Sequence, residues 1–407
     1  MKQGWEHKKL KDVCVKITDG THQTPKYFEN GYIFLSSKNC TSGKIDWNDV
    51  KYIDEIQHFE MQKRVSPKKG DILLAKNGTT GVAAIVDRDV EFDIYVSLAW
   101  LRSKGEVLPE FLLHFINSPN AKSQFNRRLK GIGVPNLHLE EIREVDISYP
   151  KSLPEQKRIV SILDEAFAAI AKAKANAEKN LKNAKELFES YLQGVFEKKG
   201  EGWEERKLNE IGNAQTGTTP KTVEKENYGD FIPFIKPADV DFSGIGDIRY
   251  DNEGLSEIGL KKGRKMESGS ILMVCIGATI GKVGFAEREV SCNQQINSLT
   301  VKKEFDPKFI YYGMTTRDFQ NKVLLEGKGA QATLPIINKS KWENLTLSYP
   351  KSKTEQQTIV RKLDALRAET QKLEAIYQKK IEDLEELKKS ILQKGFSGEL
   401  TGREVEV

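Results

Sequence analysis

The 407-residue sequence predicts an α+β fold: two similar mixed α/β globular domains joined by two long antiparallel coiled-coil helices and related by a pseudo-two-fold. Three observations carry this. Residues 148–164, SYPKSLPEQKRIVSILD, return in the same register at 348–364 as SYPKSKTEQQTIVRKLD, which marks an internal duplication. A narrow apolar stripe of helical spacing follows each copy. A strand, a Gly-rich turn and a second strand precede each copy, as GDILLAKNGTTGVAAIV at 70–86 and GSILMVCIGATIGKVGF at 269–285.

Each copy of the repeated segment reads as a strand end followed by a helix start. Ser152 and Ser352 stand three residues before Glu155 and Glu355, the spacing of a capping box. Pro154 occupies the first turn, where the missing N–H removes nothing. The first stripe runs through Ile159, Leu163, Ala166, Ile170, Ala173, Ala177, Leu181, Ala184, Phe188 and Tyr191. The second runs through Ile359, Leu363, Leu366, Thr370, Leu373, Tyr377, Ile381, Leu384 and Ile391. Helices this polar on their other faces need partners, and each is the other's nearest candidate. Chain path makes the pair antiparallel, with Leu163 expected near Leu387 or Ile391 and Phe188 near Leu363.

The domain plan is therefore 1–150 for the first globular domain, 151–200 for the first long helix, 201–350 for the second domain and 351–407 for the second helix and tail. The two domains share further pieces: GWEHKKL with GWEERKL, DGTHQTP with TGTTP, and PEFLLHFINS with PKFIYYGMTT as short helices. The tail GFSGELTGREVEV has no third domain to enter, so it is expected to return to the start of the first.

Composition narrows the chemistry. The net charge of +5 permits nucleic-acid binding without demanding it. Four scattered cysteines lack metal or disulfide spacing and fit a reducing compartment. No apolar leader or 18-residue apolar run occurs, so a cytoplasmic protein away from membranes is expected. GATIGK at 277–282 has three residues between its glycines and Val283 after the lysine, which suits a hairpin turn and not a phosphate loop. His22, His58, His114 and His138 have neither metal nor triad spacing, and no dinucleotide fingerprint or amino-methyltransferase motif is present. The expectation is a non-catalytic chain without metal or cofactor.

The pattern P-x-x-x-x-E-Q-x-x-I-V-x-x-L-D stands at Pro150, Glu155, Gln156, Ile159, Val160, Leu163 and Asp164, and again at Pro350, Glu355, Gln356, Ile359, Val360, Leu363 and Asp364. With the paired openings, DGTHQTP, GDILLAKNGTTG and the closing LQKGFSGEL, the chain resembles, over essentially its whole length, the specificity subunit of type I restriction-modification systems. The resemblance implies two target-recognition domains that each read half of a split, asymmetric double-stranded DNA target. It also implies that the paired helices set the unread spacer, two methylation subunits dock on the scaffold and restriction subunits join them. S-adenosylmethionine, ATP and magnesium would then belong to the partner subunits. The helix-start residues Glu155, Gln156, Ile159, Leu163, Glu355, Gln356, Ile359 and Leu363 are the expected docking motif. A coiled-coil adaptor joining two modules that do not bind DNA is the competing class, separable by footprinting.

Candidate DNA contacts are polar loop residues at duplicated positions. In the first half these are Thr21, His22, Gln23, Thr24 and Lys26, the hairpin residues Lys76, Asn77, Thr79 and Thr80, then Arg127, Arg128 and Lys130. The second half offers Thr218, Thr219, Lys221, Thr279, Lys282, the amide run Asn293, Gln294 and Gln295, and Lys328 and Gln331. Hydroxyls and lysines suit phosphates, while His22, Gln23 and the amides suit base edges.

Overall fold

The computed structural model describes residues 3–40, 43–78, 80–129, 136–241, 247–327 and 335–401. The chain forms two compact units, Met1–Glu178 with Lys379–Val407, and Lys179–Gln378. Each unit therefore combines a globular part with portions of both long helices.

In the first half the elements run β1 (Trp5–Lys9), α1 (Leu10–Val13), β2 (Cys14–Asp19), β3 (Tyr32–Leu35), β4 (Lys51–Ile53), α2 (Glu55–Gln62), β5 (Ile72–Ala75), β6 (Ala83–Ile85), β7 (Phe92–Ile94), β8 (Leu98–Ser103), α3 (Pro109–Ile116), α4 (Pro119–Arg128), α5 (Leu139–Arg143), β9 (Asp146–Pro150) and α6 (Leu153–Glu197). They build an antiparallel sheet β2-β8-β5-β6, a sheet β4-β3-β7 in which β3 and β7 are parallel, and the pair β1-β9. Strand β5 is buried on both faces. Its Ile72 and Leu74 join a core shared with α3, α4 and the start of α6, while Leu73 and Ala75 join a second core against the other sheet. That split is the two-residue alternation of a strand.

The second half repeats the plan with β10 (Trp203–Lys207), α7 (Leu208–Ile211), β11 (Gly212–Thr216), β12 (Tyr228–Ile235), β13 (Gly254–Leu255), α8 (Glu257–Lys262), β14 (Lys265–Met266), β15 (Ile271–Val274), β16 (Val283–Phe285), β17 (Val290–Cys292), β18 (Ile296–Val301), α9 (Pro307–Thr315), α10 (Arg317–Gly327), α11 (Lys339–Glu343), β19 (Thr346–Pro350) and α12 (Lys353–Ser397). The sheets are β11-β18-β15-β16, β13-β12-β17-β14 and β10-β19. The expected hairpins are present as β5-β6 and β15-β16. Their turns need positive φ at Gly78 and Gly81, and at Gly277 and Gly281, so the second turn is one residue longer than the first.

Helices α6 and α12 are each 45 residues long and run antiparallel within both units. In the first unit Lys174 Nζ meets Glu385 Oε1 at 2.5 Å, and Leu163 shares a core with Leu392 and Phe396. In the second unit Phe188, as expected, shares a core with Leu363. The register differs in detail. Ile391 packs on the core that holds Leu163, as expected, but Leu163 itself lies against Gly395, a turn further on, and Leu387 is 47% exposed. Tyr191 and Leu373 also face outward, Leu192 is buried in place of Tyr191, and Thr370 is buried as expected. The reason is that the end of α6 turns its apolar stripe toward the globular part of its unit, where Phe196 stacks 5.1 Å from Phe309. A strict coiled-coil repeat ignores that third partner. In the first unit Phe396 takes the same role beside Phe111 and Phe115, at 5.2 and 5.6 Å. The returning tail therefore packs in the first unit, while the extreme chain ends lie outside the described residues. Among the described residues no helix is long and apolar enough to cross a membrane.

Candidate nucleic-acid interface

In the first unit, β2 delivers its last residue, Asp19, to the edge of the loop 20–26. Gly20 follows because a Cβ there would fall 1.8 Å from the carbonyl oxygen of Ile94. Gly217 is under the same constraint, with the oxygens of Asn293 and Cys292 at 2.2 and 2.3 Å. The two loops thus start from the same backbone clamp. Thr21 N donates to Ile94 O and Val96 N to Thr21 O, while Thr218 N donates to Cys292 O. His22, Gln23, Thr24 and Lys26 are exposed beyond the clamp. Gln57 of α2 holds the loop's far end, accepting from Lys26 N at 2.9 Å and donating to Lys26 O at 3.0 Å.

The hairpin turn and the segment after α4 join the loop. Lys76 O accepts from Leu137 N, and Asn77 bridges Asn136. In the second unit Ile276 bridges Ile336, Gly277 N donates to Pro335 O, and Thr219 bonds the Gln294 amide. The predicted segments therefore converge in each unit. Asn293 and Gln295 bind one another, Asn293 Nδ2 donating at 2.9 Å, which leaves Gln294 as the outward amide of the run. Thr279 and Thr80 sit in the hairpin turns, and Lys221 is exposed with an ion pair to Glu224 at 3.6 Å.

Several expected contacts are corrected by the structure. Lys76 is 6% exposed and its ammonium is bound to Asp19 at 2.6 Å, so it faces inward and not toward solvent. Lys282 Nζ donates to Val240 O at 2.9 Å. Arg128 donates to Gln124 O and Glu144 O, leaving Arg127 as the exposed cation at the end of α4. Thr79, Lys130, Lys328 and Gln331 lie outside the described residues.

The helix-start motif is likewise mainly internal. Gln156 donates to Glu106 O and Pro150 O and accepts from Leu108 N, each at 2.8 Å. Gln356 donates to Pro350 O at 2.9 Å and accepts from Asp306 N at 2.8 Å. With Ile159, Leu163 and Leu363 also fully buried and Ile359 packed on the core, the motif pins each long helix to its globular part. Glu155 and Glu355, with the half-buried Ile359, retain surface for a docking partner. The capping hydroxyls are in place, Ser152 Oγ accepting from Glu155 N at 3.4 Å and Ser352 Oγ from Glu355 N at 3.3 Å.

Sequence reasoning missed the cluster around Asp19. Its carboxylate receives Lys76, Arg64 Nη2 at 2.7 Å and His22 Nε2 at 3.3 Å. Burial alone would raise the Asp19 carboxyl, but the Lys76 and Arg64 hydrogen bonds outweigh it and hold it below the ordinary value. Comparison of the pre-glycine positions in DGTH and TGTT could have flagged Asp19. Arg64 carried no such signal. Among the described residues no group of His, Cys, Asp or Glu forms a metal site, and all four cysteines are buried with thiols pushed up to about 12.

The type I restriction modification DNA specificity domain profile matches residues 2–180 and again 200–383, one copy per repeat. The chain belongs to this family. It is 24% identical to the putative type I restriction enzyme MjaX specificity subunit of Methanocaldococcus jannaschii, over 98% of this chain and 94% of that one. The EcoKI specificity subunit of Escherichia coli is 22% identical over 98% of this chain and 90% of its own. Among solved structures, a chain from a study of complex assembly and conformational transition of the type I R-M system superposes with a TM-score of 0.77 over 97% of this chain and 98% of that one, at 18% identity. The HsdS subunit of Thermoanaerobacter tengcongensis gives 0.60 over 97% of both, at 19% identity. As a type I specificity chain it is the DNA-recognising component, and catalysis lies with partner subunits. The non-DNA adaptor reading falls away.

Proposed function

We propose that each unit of this specificity chain reads one half of a split target in double-stranded DNA, and that the two half-sites differ in sequence. The observation that supports this is the pair of convergent loop clusters: the same backbone clamp at Gly20 and Gly217 presents unlike polar side chains, His22, Gln23 and Thr24 in one unit, Thr219 and Gln294 in the other. Shared backbone with divergent tips is what reading two different base sequences requires. Exposed Lys26, Arg127 and Lys221 serve phosphates. Two methylation subunits and restriction subunits assemble on the chain in the cytoplasm, carrying S-adenosylmethionine, ATP and magnesium. Sequencing modified bases in a host with and without the chain tests the reading. A bipartite, asymmetric methylated motif that appears only with the chain is expected. An unchanged modification pattern overturns it.

A further inference from the structure

The duplicated strand ends carry different chemistry at one shared place. In both units an arginine from the segment after the short helix donates to the backbone oxygen of the last residue of the edge strand: Arg64 Nε to Asp19 O at 3.1 Å, and Arg264 Nη1 to Thr216 O at 2.7 Å. The side chains then diverge. In the second unit Thr216 Oγ1 bonds Asn297 Oδ1 at 2.8 Å, and Asn297 Nδ2 reaches Cys275 Sγ at 3.2 Å, a neutral chain of short polar groups. In the first unit Ala99 stands where Asn297 does, and Lys76 where Cys275 does. Asp19, 2% exposed, fills the gap with an ion cluster that draws on three separate segments. Lys76 comes from the hairpin, Arg64 from beyond α2 and His22 from the exposed loop.

We propose that Asp19 is the positioning residue of the first unit's DNA-reading loop, locking the loop, the hairpin and α2 into one register by binding Lys76, Arg64 and His22 at once. It touches no base itself. The second unit reaches its register without a buried carboxylate, through Thr216, Asn297 and Cys275, with Arg264 on the Thr216 carbonyl. The two units therefore respond differently to loss of a single carboxylate. This rests on the DNA-reading role proposed above.

The test uses the full chain assembled with its methylation subunits, with binding measured to the methylated target and to duplexes scrambled in one half-site at a time. Asp19→Asn with Lys76→Met removes both buried charges together, so no uncompensated ion is left inside. Arg64→Gln, at a half-exposed side chain, removes one cation from the cluster and leaves the Lys76–Asp19 pair in place. Both variants are expected to melt with the wild type. Both should lower the specific-to-nonspecific ratio roughly tenfold at one half-site, the scale of one base pair's discrimination, and leave the other half-site unchanged. An unchanged ratio in both variants, or an equal loss at both half-sites, overturns the proposal. Failure of the wild-type complex to discriminate either half-site would count against the DNA-reading role itself and not against Asp19.

Discussion

Gln156 accepts a hydrogen bond from the backbone N–H of Leu108 at 2.8 Å, which ties the first turn of α6 to the start of α3 through a fully buried amide. Gln156→Leu would leave that N–H and the carbonyls of Glu106 and Pro150 without their partner. A buried polar group stripped of its bond costs about 1–3 kcal/mol, so the first unit should lose stability on that scale in denaturant titration. Gln356→Leu should do the same in the second unit. A loss confined to association with methylation subunits, with stability intact, would restore the docking role to these glutamines.

Phe396 anchors the end of α12 between Phe111 and Phe115 and is 8% exposed. Truncating a packed phenylalanine to alanine removes about 3–5 kcal/mol. Phe396→Ala should therefore lower protection of the first unit in hydrogen exchange, although the substitution lies almost 400 residues from its start in sequence. Phe196→Ala should act on the second unit, through Phe309 and Trp203. Equal loosening of both units by either change would contradict the division of the core.

The duplication, the two long helices and both hairpins were legible because each rests on a local period or on a segment that occurs twice. The loops that converge on Gly20 and Gly217 were legible for the same reason. What sequence could not give was the direction of individual side chains. Lys76 and Lys282 look like phosphate ligands in a Gly-rich turn, yet Asp19 and the Val240 carbonyl draw them inward. Gln156 resembles a surface recognition residue because glutamine is usually exposed, and the three-dimensional path of residues 106–108 supplies two of its three partners. The helix seam failed at Tyr191 and Leu192 because a globular neighbour competes with the partner helix there.

All five histidines lie in the first 138 residues, so acid should act unequally on the two units. His114 is enclosed, and burial pushes its pKa below the ordinary value against the opposing pull of Asp164 at 2.8 Å. The folded first unit thus resists a proton that the unfolded chain accepts. Its contribution is intact above about pH 6.5 and is lost as pH falls toward the folded value. The melting temperature of the first unit should decline between about pH 7 and 5.5. His114→Tyr should flatten that decline, because Tyr312 bonds Asp364 at 2.5 Å at the matching place. A slope unchanged by the substitution would assign the effect to another group.

Exposed and internal cations should separate in their salt behaviour. Lys26, Arg127 and Lys221 present charge to solvent, whereas Lys282 is half-buried and donates to the Val240 carbonyl. Removing one cation that neutralises a phosphate should reduce the slope of log affinity against log salt by roughly 0.9, with the methylated motif unchanged. Lys26→Ala, Arg127→Ala and Lys221→Ala are each expected to flatten the slope by that amount when duplex binding is titrated between low and moderate salt. Lys282→Ala should instead leave the slope near the wild-type value and lower the melting temperature of the second unit, since its loss frees an internal acceptor and not a counterion. A Lys282→Ala slope as flat as that of Lys221→Ala would mean that the Val240 hydrogen bond opens on DNA and that the lysine turns outward when bound.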